Sequence, residues 1–451
     1  MSNKTISKYS ILSTTTLENG KKVNLVYSTR SGLNVLLSDE NYKNLINNDI
    51  KTIDEATMKA LCDALIIVDE SEDQETELVI NRKLEVFKDR MQSEVLYISY
   101  QATANCQLGC YYCGQEHDKT NIDEATIKAT LDRVVSKIKP YHKRLLVSWF
   151  GGEPLLARKQ MAILNSDLKR IARENELEYS TKLTTNGVSL TRDLFVQLVK
   201  EYNVYGIEVT LDGTAEFHDK RRCFIGGAPS FDVIFNNLSQ IVDLMREDES
   251  MRSCKVSIRC NIDDNNVECV YPLLEKMKNN GFFEFFSFYT ARIHSWAQND
   301  ADKLVSEDSY AAQEIDHLID MFNFDMPIAV LPKNSFANCM ALSNDSEMYD
   351  AYGNIFDCSE ASYSSVYQDT TLVLGSVHKE KNNTLSRSYL FDFINDLADG
   401  KFPECLDCKF LPACTPCPKS MYEDTVSCPT FIHNIKDRMF LDYYMRTSKK
   451  Q

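Results

Sequence analysis

The chain has 451 residues, 43% apolar and 26% charged, with only 15 Gly and 11 Pro. That profile belongs to a protein with real cores and excludes collagen-like, mucin-like and wholly disordered chains. A formal net charge of −16 argues against broad binding to a phosphate backbone, so no nucleic-acid partner is expected. No apolar run reaches the ~18 residues of a membrane span, and Met1 to Thr16 lacks the apolar core of a secretory signal, so a cytoplasmic protein without membrane contacts is expected.

The elements fall in three stretches. Residues 1–92 read as a small α+β unit. Strands over 22–27 and 33–37 flank a turn at Arg30-Ser31-Gly32. Helices follow over 38–46 and 55–66, the second capped by Asp54, and an amphipathic linking helix covers 75–91. With no paired His and no Gly-rich loop, this unit reads as a docking module. Residues 93–300 alternate strand (95–100, 145–150, 181–185, 206–211, 255–262, 282–289) with helix (124–138, 156–174, 192–201, 231–246, 267–279), and Asn121 with Glu124 has the form of a capping box. Six strands with five helices between them predict a parallel α/β sheet, open or curled into part of a barrel, with its ligand at the carboxyl ends of the strands. Residues 301–451 lose that rhythm after a helix over 307–324. The Pro- and Cys-rich run from Pro403 to Pro429 cannot build an ordinary core and calls for a metal staple.

Fifteen cysteines in a chain read as cytosolic point to metal or to chemistry rather than to disulfides. Cys62, Cys223, Cys254, Cys260 and Cys269 are scattered and read as small buried hydrophobes; Cys254 and Cys260 share a strand face with Val256, Ile258 and Ile262. The others are grouped. Cys106, Cys110 and Cys113 follow the strand over 95–100. Three thiolates on one tight loop can hold three irons of a [4Fe–4S] cube and leave the fourth open to a cofactor; a zinc knuckle completed by a distant ligand is the alternative. Gly109 permits the tight turn, and Tyr112 is placed to pack against an adenine ring.

Cys-x3-Cys-x-aromatic-Cys resembles the signature of the radical S-adenosylmethionine (SAM) superfamily. Gly151-Gly152-Glu153-Pro154 follows the second strand, in the order that family shows. The resemblance implies a partial (β/α)6 TIM barrel, a SAM-binding [4Fe–4S] cluster on Cys106, Cys110 and Cys113, and contact between the Gly151–Pro154 loop and the SAM amino group. Two glycines allow close backbone approach, and Glu153 offers acceptors to an ammonium. Thr184-Thr185-Asn186-Gly187 resembles the family's ribose and carboxylate contacts, which assigns Thr184 and Asn186 to SAM. In the fourth strand Glu208, Thr210 and Asp212 alternate with Ile207, Val209 and Leu211; in the fifth, Ser257, Arg259 and Asn261 oppose the apolar face. These polar rows suit a lumen that holds a polar cofactor, and equally a solvated sheet face. Arg259 suits the SAM carboxylate, with Asn261 beside it. Asp212 suits a general base and shares its face with Glu208; both are candidate catalytic residues. His218-Asp219 and Arg221-Arg222 meet either substrate or solvent.

The late cysteines resemble a SPASM domain, the auxiliary-cluster extension of peptide-modifying radical SAM enzymes. Cys339 comes first, Gly353-x4-Cys358 and Cys405-x2-Cys408-x5-Cys414 match, and Cys417 and Cys428 come early relative to the pattern. The resemblance implies two auxiliary [4Fe–4S] clusters, one on Cys339, Cys358 and Cys417 and one on Cys405, Cys408, Cys414 and Cys428. The short spacer leaves the allocation of Cys414 and Cys417 open, and structural zinc is the alternative. Residues 1–92 resemble, by layout alone, the winged-helix-like domain with which maturases of ribosomally made peptides bind a leader peptide along a sheet edge.

Together the resemblances imply a radical SAM enzyme that takes hydrogen from a residue carbon of a precursor peptide and installs a thioether or C–C cross-link. An electron donor such as flavodoxin or ferredoxin is implied as partner. The alternatives are a formylglycine-forming enzyme of the anaerobic sulfatase-maturase type and a non-catalytic zinc-stapled peptide adaptor.

Overall fold

The structure is a computed structural model; it describes residues 4–69, 75–293, 306–333, 339–364, 367, 370–379, 385–423 and 428–448. The expected boundary between residues 300 and 301 lies outside the described residues. The N-terminal unit contains β1 (Lys4–Ile6), β2 (Ser10–Thr16), β3 (Lys22–Ser28), β4 (Asn34–Leu37) and β5 (Ile67–Asp69). β2, β3 and β4 form an antiparallel meander, and β1 pairs with β5. The Ser/Thr-rich β2 and the three-residue β1 and β5 carry too little apolar alternation to have been read from sequence. Helices Asp39–Ile46 and Glu55–Asp63 start at the caps Ser38 and Asp54, whose side chains accept from backbone N–H groups of the first turn.

One face of the meander builds its own core, with Val26 and Leu37 against Leu45, Leu61 and Ile66. The other face, Ile11, Val23, Leu25 and Tyr27, packs against Phe410, Ile435 and Met439 of the C-terminal stretch. The front unit is therefore built into the molecule on one side rather than held by a linker.

β6 (Val95–Tyr100), β7 (Arg144–Trp149), β8 (Glu178–Thr185), β9 (Val204–Thr210), β10 (Lys255–Ile262) and β11 (Phe286–Arg292) lie side by side in chain order, all parallel. An unbroken order means that every crossover turns the same way, so right-handed connections place all the helices on one face and leave the other as a lumen. The apolar halves of the strands face those helices: Ile207 and Val209 of β9 and Val256, Ile258 and Cys260 of β10 are all buried. Helix Glu124–Lys137 is capped by Asp123, which accepts from Thr126 N at 2.7 Å, in place of the expected Asn121.

The sheet does not end with the six strands. β12 (Ser346–Tyr349) pairs in parallel with β6 on its free side, and β13 (Asn354–Phe356) and β14 (Val373–Ser376) add antiparallel strands beyond it. β12 is four residues long and carries a buried Glu347, so no pattern announced it. The closing helix Phe431–Ser448, kinked at Asn434, was also unread. No described helix is long and apolar enough to cross a membrane.

Candidate active site

The carboxyl ends of β6 to β9 open onto a cleft of about 140 Å³, and the chain after each strand lines it: Cys106, Cys110, Tyr112 and Cys113 after β6, Gly151 and Gly152 after β7, Thr184 to Asn186 at the end of β8, Thr210 at the end of β9, and Arg222.

The cysteine loop is held open from outside. Residues 221–225 run antiparallel to it: Gly109 N donates to Cys223 O (2.9 Å), Tyr111 N to Arg221 O (3.2 Å) and Ile225 N to Gln107 O (2.9 Å). Burial pushes the Cys106 and Cys110 thiols up, to about 11 and about 12. Burial works the same way on Cys113, but His117 outweighs it and holds that thiol below the usual range. His117 Nε2 lies 3.5 Å from Cys113 Sγ, and its Nδ1 lies 3.0 Å from the Ala104 carbonyl. A His four residues after the last cysteine was the available signal, and it was not used. The Asn186 amide lies 3.8 Å from Cys106 Sγ.

The Gly-Gly loop is fixed by steric necessity. Gly151 and Gly152 both have positive φ (+73° and +52°), and a Cβ on Gly152 would come within 2.6 Å of the Asn105 carbonyl and 2.7 Å of the Thr103 carbonyl. Glu153 is turned inward. Its carboxylate accepts from Leu155 N (3.0 Å), Thr185 Oγ1 (2.7 Å) and Asn186 N (2.7 Å), so it staples the end of β8 to the end of β7. It is fully buried between the two strand ends; Pro154, also buried, opens the short helix Pro154–Ala157.

The polar faces of β9 and β10 split into two groups. Asp212, fully buried, accepts from Tyr112 Oη (2.6 Å) and Asn261 N (2.9 Å) and lies 3.6 Å from Arg221 Nε. Tyr112 also accepts from Asn261 Nδ2 (3.0 Å) and from Arg222. Tyr112 thus enters the site tied by its hydroxyl, and Asp212 is its anchor. Glu208 lies farther along the lumen, where Tyr289 donates to it at 2.5 Å, and Arg259 joins the two groups by donating from Nε to Asn261 Oδ1 at 2.7 Å. Arg259 is not among the lining residues; the guanidinium that lines the cleft is Arg222. The register explains the exchange, because Arg259 is paired between Thr210 and Tyr289, whereas the helix Ala215–Arg221 brings Arg222 back over the cysteines. Arg222 is buried, its Nε has no hydrogen-bond partner among the described residues, and its charge acts on all three thiols. His218 meets neither substrate nor solvent: it is a buried strut between Asp212 N (3.1 Å) and Ser230 (3.1 Å). Asp219 caps the helix Phe231–Glu247 by accepting from Ser230 N and Phe231 N.

The late cysteines are brought together in two sets. Cys339, Cys358 and Cys417 act on one another electrostatically, with burial pushing Cys339 up to about 11 and Cys358 further. Cys405, Cys408, Cys414 and Cys428 form the other set, with Cys405 raised to about 11 and Cys414 to about 12, again by burial. Burial pulls the neighbouring Lys83 ammonium down to about 8. Burial thus raises Cys106, Cys110, Cys339, Cys358, Cys405, Cys414 and Cys428 while His117 lowers Cys113, and among the described residues no group of three or more Cys, His, Asp or Glu is arranged to hold a single metal ion.

The family model of the radical SAM superfamily matches residues 100–290. Among curated proteins, the chain is 35% identical over 128 residues to the GTP 3',8-cyclase of Nitrobacter winogradskyi, covering 28% of this chain and 35% of that protein. It is 30% identical over 138 residues to the serine-type anaerobic sulfatase-maturating enzyme of Bacteroides thetaiotaomicron, covering 28% and 32%. The chain thus spans about a third of the length of these relatives. Among solved structures, native anSMEcpe with bound AdoMet superposes with a TM-score of 0.57 at 15% identity, over 78% of this chain and 98% of that one. Streptococcus suis SuiB bound to precursor peptide SuiA superposes with a TM-score of 0.50 at 14% identity, over 91% and 94%.

Proposed function

We propose that this chain, which carries a radical SAM domain over residues 100–290, modifies a ribosomally made precursor peptide by removing hydrogen from a residue carbon and forming a thioether or C–C cross-link. The observation that carries the reading is the three-thiol loop at the end of the first barrel strand. It opens onto one cleft with two backbone-pinned glycines and a buried guanidinium. Cys106, Cys110 and Cys113 would hold a [4Fe–4S] cluster. Bound there with SAM, the cluster supplies a one-electron cleavage of the sulfonium and hence a radical able to abstract hydrogen. The chain's own residues position and shield. Arg222 offers its charge, and an Nε with no partner among the described residues, to a carboxylate in the cleft. Asp212 and Asn261 hold Tyr112 in one orientation, and Gly152 brings backbone against the ligand. The two late cysteine sets are read as auxiliary clusters that accept an electron or a substrate sulfur, and flavodoxin or ferredoxin as the electron source.

The peptide part of the reading is supported by the likeness to SuiB, described with its precursor peptide, over nearly the whole chain. A leader would add a strand to the open edge of the meander, where Leu36 on β4 is 52% exposed. A second reading, sulfatase maturation, is favoured by the likeness to anSMEcpe and to the serine-type maturase. Co-expression with a short peptide encoded beside this chain, read by mass spectrometry, decides between them. Loss of two mass units per cross-link supports the first reading. An unmodified peptide together with formylglycine in a co-expressed sulfatase rejects it. Cys113→Ala is expected to lower 5′-deoxyadenosine formation at least a hundredfold in a protein that still folds; retained SAM cleavage would refute the assignment of the cluster.

A further inference from the structure

The lumen wall beside the cleft carries a charge that the fold does not pair. Thr210, Arg259 and Tyr289 stand in one cross-strand row of β9, β10 and β11, and Glu208 and Ser257 in the row before it. Residues two apart on a strand share a face, so both rows project into the lumen. That wall is open: Glu208, Ser257 and Arg259 are half-buried, and Tyr289 is exposed. Arg259 spends its Nε on the Asn261 carbonyl oxygen (2.7 Å), and its guanidinium lies beside the Tyr289 hydroxyl, which itself donates to Glu208. Among the described residues Arg259 makes no ion pair. Arg221, one helix away, has Asp263 at 2.6 Å and Asp212 at 3.6 Å. A half-buried guanidinium with only neutral partners is costly unless a ligand brings the anion, and its flat fork matches a carboxylate.

The place of Arg259 says which ligand. Thr210 lines the cleft and is paired with Arg259 on the next strand, about 5 Å away at the usual strand spacing. Asn261, which Arg259 holds, donates in turn to Tyr112 in the cleft wall (3.0 Å). A group held by Arg259 therefore sits at the rim of the cleft, toward β10 and β11 and away from the strand that leads into the cysteine loop. The cleft has its own guanidinium in Arg222.

We propose that Arg259 recognises a carboxylate of the substrate, and that the substrate peptide carries an acidic side chain close to the residue that loses hydrogen. The inference rests on the reading of this chain as a peptide-modifying enzyme and names a feature of its substrate. Glu208, beyond the Tyr289 hydroxyl, repels a second carboxylate, so the subsite takes one acidic group and disfavours a run of them.

The test uses the full chain, loaded anaerobically with iron and sulfide, in the presence of SAM. Two synthetic probes, acetyl-Gly-Ser-Glu-Ser-Gly-amide and its Gln counterpart, differ by one carboxylate, and their affinities are read by saturation-transfer NMR. The parent is expected to prefer the Glu probe about tenfold, the size of one charge-assisted hydrogen bond. The preference is expected to fall below about twofold in Arg259→Gln and to about threefold in Arg259→Lys, which keeps the charge without the fork. It is expected to survive in Lys182→Met, which removes another lumen cation, the one over the Tyr97 ring (5.0 Å). Each preference compares two probes on one protein, so a partly unfolded variant does not change it. No preference in the parent overturns the inference, as does a preference unmoved in both Arg259 variants or one lost in Lys182→Met. Formation of 5′-deoxyadenosine by the same parent preparation separates the two claims. Cleavage without a preference rejects this inference alone; a preference without cleavage supports the carboxylate subsite and rejects the radical SAM reading.

Discussion

Asp212 sits at zero exposure with a phenol, a backbone N–H and a guanidinium around it. A general base must reach the proton it removes, and these partners leave Asp212 reaching Tyr112 instead. The two functions predict different failures. Asp212→Asn keeps the shape but removes the charge that balances Arg221 and Arg222. As an anchor, it is expected to weaken SAM binding at least tenfold and to cost about 1–3 kcal/mol of stability. As a base, the same change would spare SAM binding and lower only turnover of the peptide. Equilibrium SAM binding to the loaded protein, beside a thermal melt, distinguishes them. Glu153 and His218 repeat the lesson. Each is a polar residue in a motif that invites a ligand, and each spends its hydrogen bonds on the protein.

At the scale of the element, β12 shows how the C-terminal stretch is fastened to the barrel. Glu347 on this strand is bonded by Arg133 Nε (2.6 Å) and Nη2 (2.7 Å), by Lys137 (2.9 Å) and by Tyr349 (2.8 Å). Burial opposes its ionisation, but the Arg133 bonds and the Lys137 charge prevail and hold the carboxyl at about 2, below its ordinary value of 4.5. A carboxyl depressed in the fold contributes stability that is present above its unfolded value and lost as pH falls through its folded one. The contribution is therefore complete above pH 4.5 and drains away toward pH 2. Glu347→Gln is expected to cost about 3–5 kcal/mol at neutral pH, because it strands Arg133 without a counter-charge. Denaturant melts of the variant between pH 5 and pH 3 are expected to show a shallower loss of stability than the parent. An equally steep acid limb in both proteins would show that the pair does not carry it.

The whole molecule is knit from front to back. Beyond the shared core, Thr29 Oγ1 donates to Lys409 O (2.6 Å), Asn34 Nδ2 to Met439 O (2.9 Å) and Arg446 to Asn34 O (3.2 Å). A linker-held docking module would delete cleanly. Here removal of residues 1–90 uncovers Phe410, Ile435 and Met439, at a cost on the order of 5 kcal/mol. The truncated chain is expected to melt lower and to precipitate, with loss of SAM cleavage as well as of leader binding. An equal melting temperature with intact cleavage would show the unit to be separable. A substitution on the β4 edge is the cleaner probe of leader docking.

Much of the site could be read from local pattern. Cys106, Cys110 and Cys113 declare themselves by spacing, Gly151 and Gly152 by a turn no other residue tolerates, and β9 and β10 by strict alternation, because each depends on neighbours a few residues away. Arg222 rather than Arg259 at the cleft, Glu153 turned inward, and β12 beside β6 were decided only by tertiary structure. Each is a pairing between residues far apart in the chain. Burial and partner choice at such pairings are settled by packing, and no window of sequence contains both sides of the contact.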